Sequence, residues 1–203
     1  SSAASDVYKR QMYDMMIPYV KNQAKFKDIE YYLFDENPYI DEPYGPNWKD
    51  MQELFFKAAN IPDERIHIMT SNDWQDYDNK IRNAGGIDVM VIGLGYDGHF
   101  CGNCPRCTPF DSYTYCIDFK KKQAVNPDYG DRPRQPHTLT MGPKSLMRVK
   151  HLVMIVNGKE KAEIFKRFLD EPVNQDVPAT ILKLHPNFTV ICDQAAASLI
   201  DPQ

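Results

Sequence analysis

Hydrophobic residues fall into short blocks separated by polar turns, and the spacing inside the blocks changes along the chain. Residues 29–34, IEYYLF, form a β-rich run that stops at Asp35-Glu36. Residues 87–94 have almost no polar face, broken only by Asp88 and Gly93. A run that short and that apolar predicts a strand buried on both sides. Residues 151–156 predict a second buried strand and residues 188–192 a last one. Helical spacing lies between them. Met and Tyr share one face over residues 12–21, and Met51, Leu54, Phe55 and Ala58 share a face of a helix that Asn47 would cap and that runs to residue 60. Ser71 or Asn72 would cap a helix ending at residue 82, after a loop and short strand over residues 61–69. A short strand is expected near residues 113–119, inside a polar, proline-bearing loop that extends to residue 136. Thr140 would cap a short helix over residues 143–149, with a proline near its first turn. Further helices are expected over residues 159–169, 178–184 and 195–200.

Strand and helix thus alternate from end to end. The pattern predicts a doubly wound α/β fold, a mostly parallel sheet with helices on both faces in the Rossmann-like manner. A chain of 203 residues suits one domain, assigned here to residues 12–203. The first eleven residues, SSAASDVYKRQ, look like translated adapter read-through and are set aside as a non-native scar.

Composition narrows the function classes. A net charge of -4 gives no global pull toward nucleic acid or an anionic membrane surface. No apolar run approaches the ~20 residues of a membrane helix, and the N-terminus lacks a signal-peptide apolar region. Five cysteines, an odd count, do not suggest a disulfide framework. The expectation is a reduced, cytoplasmic protein with no nucleic-acid or membrane partner.

The sharpest chemistry follows the run at residues 87–94. The chain breaks into Gly95-Tyr96-Asp97-Gly98-His99, and glycines there allow a tight path with close ligand approach. Asp97 and His99 then sit just past the carboxyl end of a strand, the edge where open α/β sheets bind ligands. A histidine beside a carboxylate is held in one tautomer and works as an acid or base near neutral pH. Spacing alone equally allows a turn aspartate and a loop histidine. Asp35 and Glu36 close another strand and reach the same edge if the two strands are neighbours. Cys101, Cys104 and Cys107 form C-x2-C-x2-C with Cys116 beyond, but this spacing fits no common zinc or iron–sulfur site, so no metal is expected. Lys161 opens a helix, where the dipole disfavours a cation; a bound phosphate would make sense of it, and an exposed lysine is the plainer reading.

The stretch GLGYDGHFCGNCP, from Gly93 onward, resembles the G-x-G-x-D-G-H signature of the glucosamine-6-phosphate deaminase and 6-phosphogluconolactonase family. FDE at residues 34–36, LTMGPKSLMRVKHLVMIVNGKEKA at 139–162 and EPVNQDVPATILKLHPNFTVICDQAA at 171–196 are similar to further blocks of that family, and the last favours the deaminase branch. The resemblance implies a phosphorylated sugar as substrate and no cofactor; it leaves a homo-oligomer open. It implies that the sugar ring opens, a base moves a proton between C2 and C1, and ammonia leaves as the ketose phosphate forms. Asp35 matches the proton-shuttling aspartate, His99 the ring-opening histidine with Asp97 its motif partner, and Lys161 a phosphate contact. Glu36, Gly95 and Gly98 are carried over as substrate-binding positions. Cys104 stands where deaminases carry glutamate. A thiol does not supply the carboxylate charge that stabilises a histidinium, so impaired deamination is expected. The family's first strand-helix unit and its Gly-x-Thr-Pro phosphate loop would precede Met12 and are expected to be missing. Arg132 and Arg134 are not in register with the family's phosphate-binding arginine. Two alternatives are a lactonase-type hydrolase in which His99 activates water, and a phosphosugar-binding protein that has lost its chemistry.

Overall fold

In the computed structural model, which describes residues 3–118 and 133–200, the chain runs α1 (Ala3–Asn22), β1 (Tyr31–Tyr32), β2 (Asp35–Glu36), α2 (Pro46–Met51), β3 (Ile66–His67), α3 (Tyr77–Asn83), β4 (Val89–Gly93), β5 (Tyr115–Asp118), β6 (His137–Thr140), α4 (Pro143–Leu146), β7 (His151–Val156), α5 (Ala162–Asp170) and β8 (Phe188–Cys192). Arg132 and the last residue of the strand expected near 113–119 lie outside the described residues.

The architecture is α/β with mostly parallel pairing. Strands β4, β7 and β8 form one parallel sheet in that order, from Val89↔His151 to Val156↔Cys192. Strands β1 and β3 pair in parallel. Strands β2, β6 and β5 form an antiparallel sheet with β6 in the middle. The core gathers on one face of the parallel sheet, where Met90, Ile92, Leu152 and Met154 meet Ile164, Phe165 and Phe168 of α5. Lys166–Asp170 and Arg167–Glu171 pairs lie along the wet side of that helix at i,i+4 spacing.

Several elements differ from the sequence expectations. Strand β4 is not buried on both sides: Met90 and Ile92 are buried, while Val89 is 57% and Val91 37% exposed. Successive strand side chains point to opposite faces, and a run apolar on both faces hides which one the core covers. The helix expected from Asn47 starts instead at Pro46 after Gly45, and winds into a wider π-type turn over Gln52–Phe56. Ser71 and Asn72 cap nothing; a 3-10 turn, Trp74–Asp76, precedes α3, and Asp73 accepts the Thr70 N–H at 3.2 Å. Thr140 belongs to β6, and Gly142 precedes α4. Pro178–Leu184 is a 3-10 helix, and residues 195–200 form turns rather than a helix. Against the expectation of reduced loop thiols, Cys104 and Cys107 are bonded with Cα atoms 5.5 Å apart, a single local closure and not a framework. A C-x-x-C turn closes locally, so an odd total does not forbid it. No helix among the described residues is long and apolar enough to cross a membrane.

Candidate active site

The loop after β4 is folded by its own backbone. The Gly95 N–H donates to His99 O at 2.8 Å, and the Gly98 N–H to Gly95 O at 3.0 Å. Gly98 has φ +85, and an added Cβ would stand 2.8 Å from Val177 Cγ1, so glycine is required on both counts. Gly95 is required for another reason: a Cβ there would lie 2.1 Å from His99 Nδ1. The imidazole therefore rests against the bare backbone of Gly95.

Asp97 Oδ1 accepts the His99 backbone N–H at 3.0 Å and contacts His99 Nδ1 at 2.6 Å. Partial burial pushes the Asp97 carboxyl up, but the hydrogen bond and charge of His99 outweigh it and hold the group down to about 2. With Nδ1 committed to Asp97, Nε2 is the nitrogen left to exchange protons with a ligand. The Asp97 and His99 side chains are 58% and 47% exposed, so the pair is reachable from solvent.

Asp35 comes to this loop through β6. It is in register with Thr140, and Thr140 Oγ1 accepts the Gly102 N–H at 3.0 Å. One residue on, Met141 N–H donates to Phe34 O at 2.8 Å, and Met141 O accepts from Asn103 Nδ2 at 2.8 Å. The end of β6 thus holds the strand carrying Asp35 on one side and the loop carrying His99 on the other. Asp35 Oδ1 accepts from Asn47 Nδ2 at 2.8 Å, which orients its carboxylate. Glu36 faces inward. It is 1% exposed, and its carboxylate accepts the N–H groups of Asn37 at 2.8 Å, Asn47 at 3.2 Å and Trp48 at 2.8 Å, tying β2 to the start of α2. Burial raises its pKa, against the lowering effect of those N–H groups.

Lys161 reaches the loop from the β7–α5 side. It is 4% exposed; Nζ donates to Leu94 O at 2.6 Å and lies 3.5 Å from the centre of the Tyr96 ring. The turn before it is fixed by Asp193, whose carboxylate oxygens accept the Gly158 N–H at 3.1 and 3.0 Å. Past His99, an antiparallel bridge joins Phe100 and Asn103, and Cys104 follows at once, bonded to Cys107. Gly95, Asp97, Gly98, His99 and Cys104 thus lie on the one loop after β4, Lys161 reaches its start from the β7–α5 side, Asp35 is joined to it through β6, and Glu36 is turned away into the packing. Among the described residues no group of three His, Cys, Asp or Glu is placed to hold a metal.

Asn47, Thr140, Asn103 and Asp193 were missed as organisers of this region. Asn47 and Thr140 carried only helix-cap signals, whereas their partners lie 12 and 38 residues away in sequence. No local pattern reports such pairings.

A model of the family described as glucosamine-6-phosphate isomerases/6-phosphogluconolactonase matches residues 8–191. A glucosamine-6-phosphate deaminase of Clostridium acetobutylicum is 32% identical over 193 residues, covering 90% of this chain and 79% of the relative. One from a Geobacillus strain is 38% identical over 192 residues, covering 89% and 75%. Among solved structures, a monomeric glucosamine-6-phosphate deaminase superposes with a TM-score of 0.79 at 27% identity, covering 94% of this chain and 83% of that one. The 6-phosphogluconolactonase of Trypanosoma brucei shares the fold at a TM-score of 0.69 and 16% identity, covering 92% and 82%.

Proposed function

This chain belongs to the family of glucosamine-6-phosphate isomerases and 6-phosphogluconolactonases, a family of enzymes, and on that premise we propose that it acts as a glucosamine-6-phosphate deaminase. The observation that carries this reading is the Asp97–His99 pair at the carboxyl end of β4, held at 2.6 Å and open to solvent. His99 Nε2 exchanges a proton with the ring oxygen of the bound sugar, and the Asp97 carboxylate steadies the imidazolium. Asp35 takes the C2 proton of the opened sugar and returns it to C1; hydrolysis of the resulting imine releases ammonia and leaves the ketose phosphate. Lys161 supplies positive charge to the phosphate. Its ammonium lies under the Tyr96 ring, so a phosphate that displaces this ring meets the charge directly.

The residue at position 104 sets the rate. Bonded to Cys107, Cys104 gives His99 no carboxylate, and turnover falls below that of a glutamate-bearing site. The test is ammonia and fructose 6-phosphate release from glucosamine 6-phosphate, in the protein and in His99→Ala and Asp35→Asn. Matched release of both products, lost in either variant, supports the assignment. Silence with this substrate, alongside 6-phosphogluconolactone hydrolysis that His99→Ala abolishes, transfers the chain to the lactonase reading.

A further inference from the structure

The C-x-x-C pair supplies no proton-transfer group to that chemistry, yet the backbone sets Cys104 across a short hairpin from the histidine. The Phe100↔Asn103 bridge is antiparallel. Both of its bonds form, Phe100 N–H to Asn103 O at 3.3 Å and Asn103 N–H to Phe100 O at 2.8 Å. His99 and Cys104 are the residues that flank this isolated bridge, one on each arm of the turn. The bridge is anchored from beneath, since Gly102 N–H is held by Thr140 Oγ1 and Asn103 by Met141 O. The bridge gives a change at Cys104 a backbone path toward His99.

Cys107 sits on the other side of the disulfide. It lines an open cavity of about 540 Å³ together with Arg106, Thr108, Pro109 and Gln175. Arg106 places its guanidinium at this mouth, where Nε pairs with Asp176 Oδ1 at 2.6 Å. The turn is held independently of the sulfur bond: Arg106 N–H donates to Gln175 O at 2.8 Å, and Thr108 Oγ1 donates to Cys104 O at 2.8 Å. Such a loop survives opening of the disulfide. A pair with one sulfur lining an open cavity has the layout of an exchangeable dithiol, since the reachable sulfur takes the attack and the other leaves as a thiolate.

We propose that Cys104 and Cys107 form a reversible thiol–disulfide site, reduced by a dithiol through Cys107, that sets the state of His99. The step balances. A thiolate of the reductant attacks Cys107 Sγ, the Sγ–Sγ bond breaks, and Cys104 leaves as a thiolate. The second thiol of the reductant then attacks its own sulfur in the mixed disulfide, releasing the Cys107 thiolate and closing the reductant's disulfide. Two electrons pass to the pair, and two protons complete the thiols. In the reduced state Cys104 offers His99 a thiol or thiolate partner; in the oxidised state both sulfurs are bonded and the histidine has Asp97 alone from this loop.

The regulatory meaning rests on His99 being the acid–base group, but the test does not need turnover. The protein is equilibrated in mixtures of reduced and oxidised dithiothreitol, a dithiol, then quenched, denatured and alkylated, and the thiols are counted by mass. The count is expected to pass reversibly from three, Cys101, Cys116 and Cys192, to all five in one two-electron transition. Cys107→Ser and Cys107→Ala are both expected to remove it. In parallel, the His99 Cε1–H resonance is expected to shift between the oxidised and reduced protein, and to stay fixed in Cys104→Ser. A thiol count that never changes across the dithiothreitol series overturns the proposal, and so does a clean transition that leaves the His99 resonance where it was. Absence of phosphosugar turnover in both redox states, with these signals intact, counts against the deaminase reading and not against the switch.

Discussion

Changing Asp97 to Asn isolates the charge behind His99. The substitution keeps the size of the side chain and an oxygen that still accepts from Nδ1–H and from the His99 backbone, and it removes only the negative charge. A hydrogen bond to a charged group is worth about 1.5–3 kcal/mol net. Both side chains are about half exposed, 58% for Asp97 and 47% for His99, so water takes part of that and about 1–2 kcal/mol remains. If the interaction strengthens as the imidazolium forms, kcat falls by about 5- to 30-fold. The pH dependence has a definite shape. Asp97 titrates at about 2 in the folded protein against about 3.9 in the unfolded chain. Its contribution to stability is therefore present above about pH 4 and lost as pH falls toward 2. Between pH 5 and 9 Asp97 stays ionised, so it shapes neither limb of the rate profile, and Asp97→Asn lowers the whole plateau without erasing a limb. The assay is kcat and kcat/KM for glucosamine 6-phosphate over that range in the protein and in Asp97→Asn, with unfolding measured at pH 7 and pH 2. A variant that stays within twofold of the parent kcat at every pH refutes the argument that Asp97 steadies the charged histidine.

Two further substitutions separate the site from its support. Gly95→Ala puts a methyl group 2.1 Å from His99 Nδ1, forcing the ring off Asp97; kcat is expected to fall at least as far as in Asp97→Asn while the thermal midpoint barely moves, and unchanged kcat with a displaced midpoint contradicts this. Glu36→Ala strips three partly buried N–H groups of their acceptor, at about 1 kcal/mol or more each, so the urea midpoint is expected to drop by more than about 1 M. Because burial raises the Glu36 pKa, the titration-linked part of its contribution is fully present below the unfolded carboxyl value and is lost as pH rises through the folded one, so the gap between parent and Glu36→Ala narrows as pH rises above about 4.

Much of the fold was legible because the decisive signals are local. The apolar runs at β7 and β8 were read with the bounds the structure gives, His151–Val156 and Phe188–Cys192, and the glycine loop announced itself by composition. What stayed hidden depends on partners far along the chain. Strand β6, HTLT, is short, carries two threonines and has no alternation to mark it, yet it pairs with both β2 and β5. The two-sided apolarity of β4 concealed its open face. Glu36 read as one of two acids at a strand end; only the approach of Asn47 and Trp48 from α2 makes it a buried anchor. The disulfide escaped because cysteine counting weighs the whole chain, whereas a C-x-x-C pair closes within its own turn.

The departure at position 104 also takes a different meaning once the loop is folded. Read as a motif, replacing glutamate by cysteine removes the histidine's charged partner. In the structure His99 already has one two residues upstream, through a contact that needs only the Gly95 and Gly98 turn to form. Position 104 lies across the Phe100↔Asn103 bridge, on the far arm of the same hairpin. The turn thus carries two features of different origin. One is a fixed carboxylate in contact with the imidazole. The other is a position, set across the bridge from it, where this chain carries sulfur, whose charge and hydrogen-bonding capacity depend on whether it is bonded to Cys107. A glutamate there would be permanently negative near neutral pH. If the sulfur pair is exchangeable, the cysteine makes the charge at that position conditional, while the contact with Asp97 stays in place in both states.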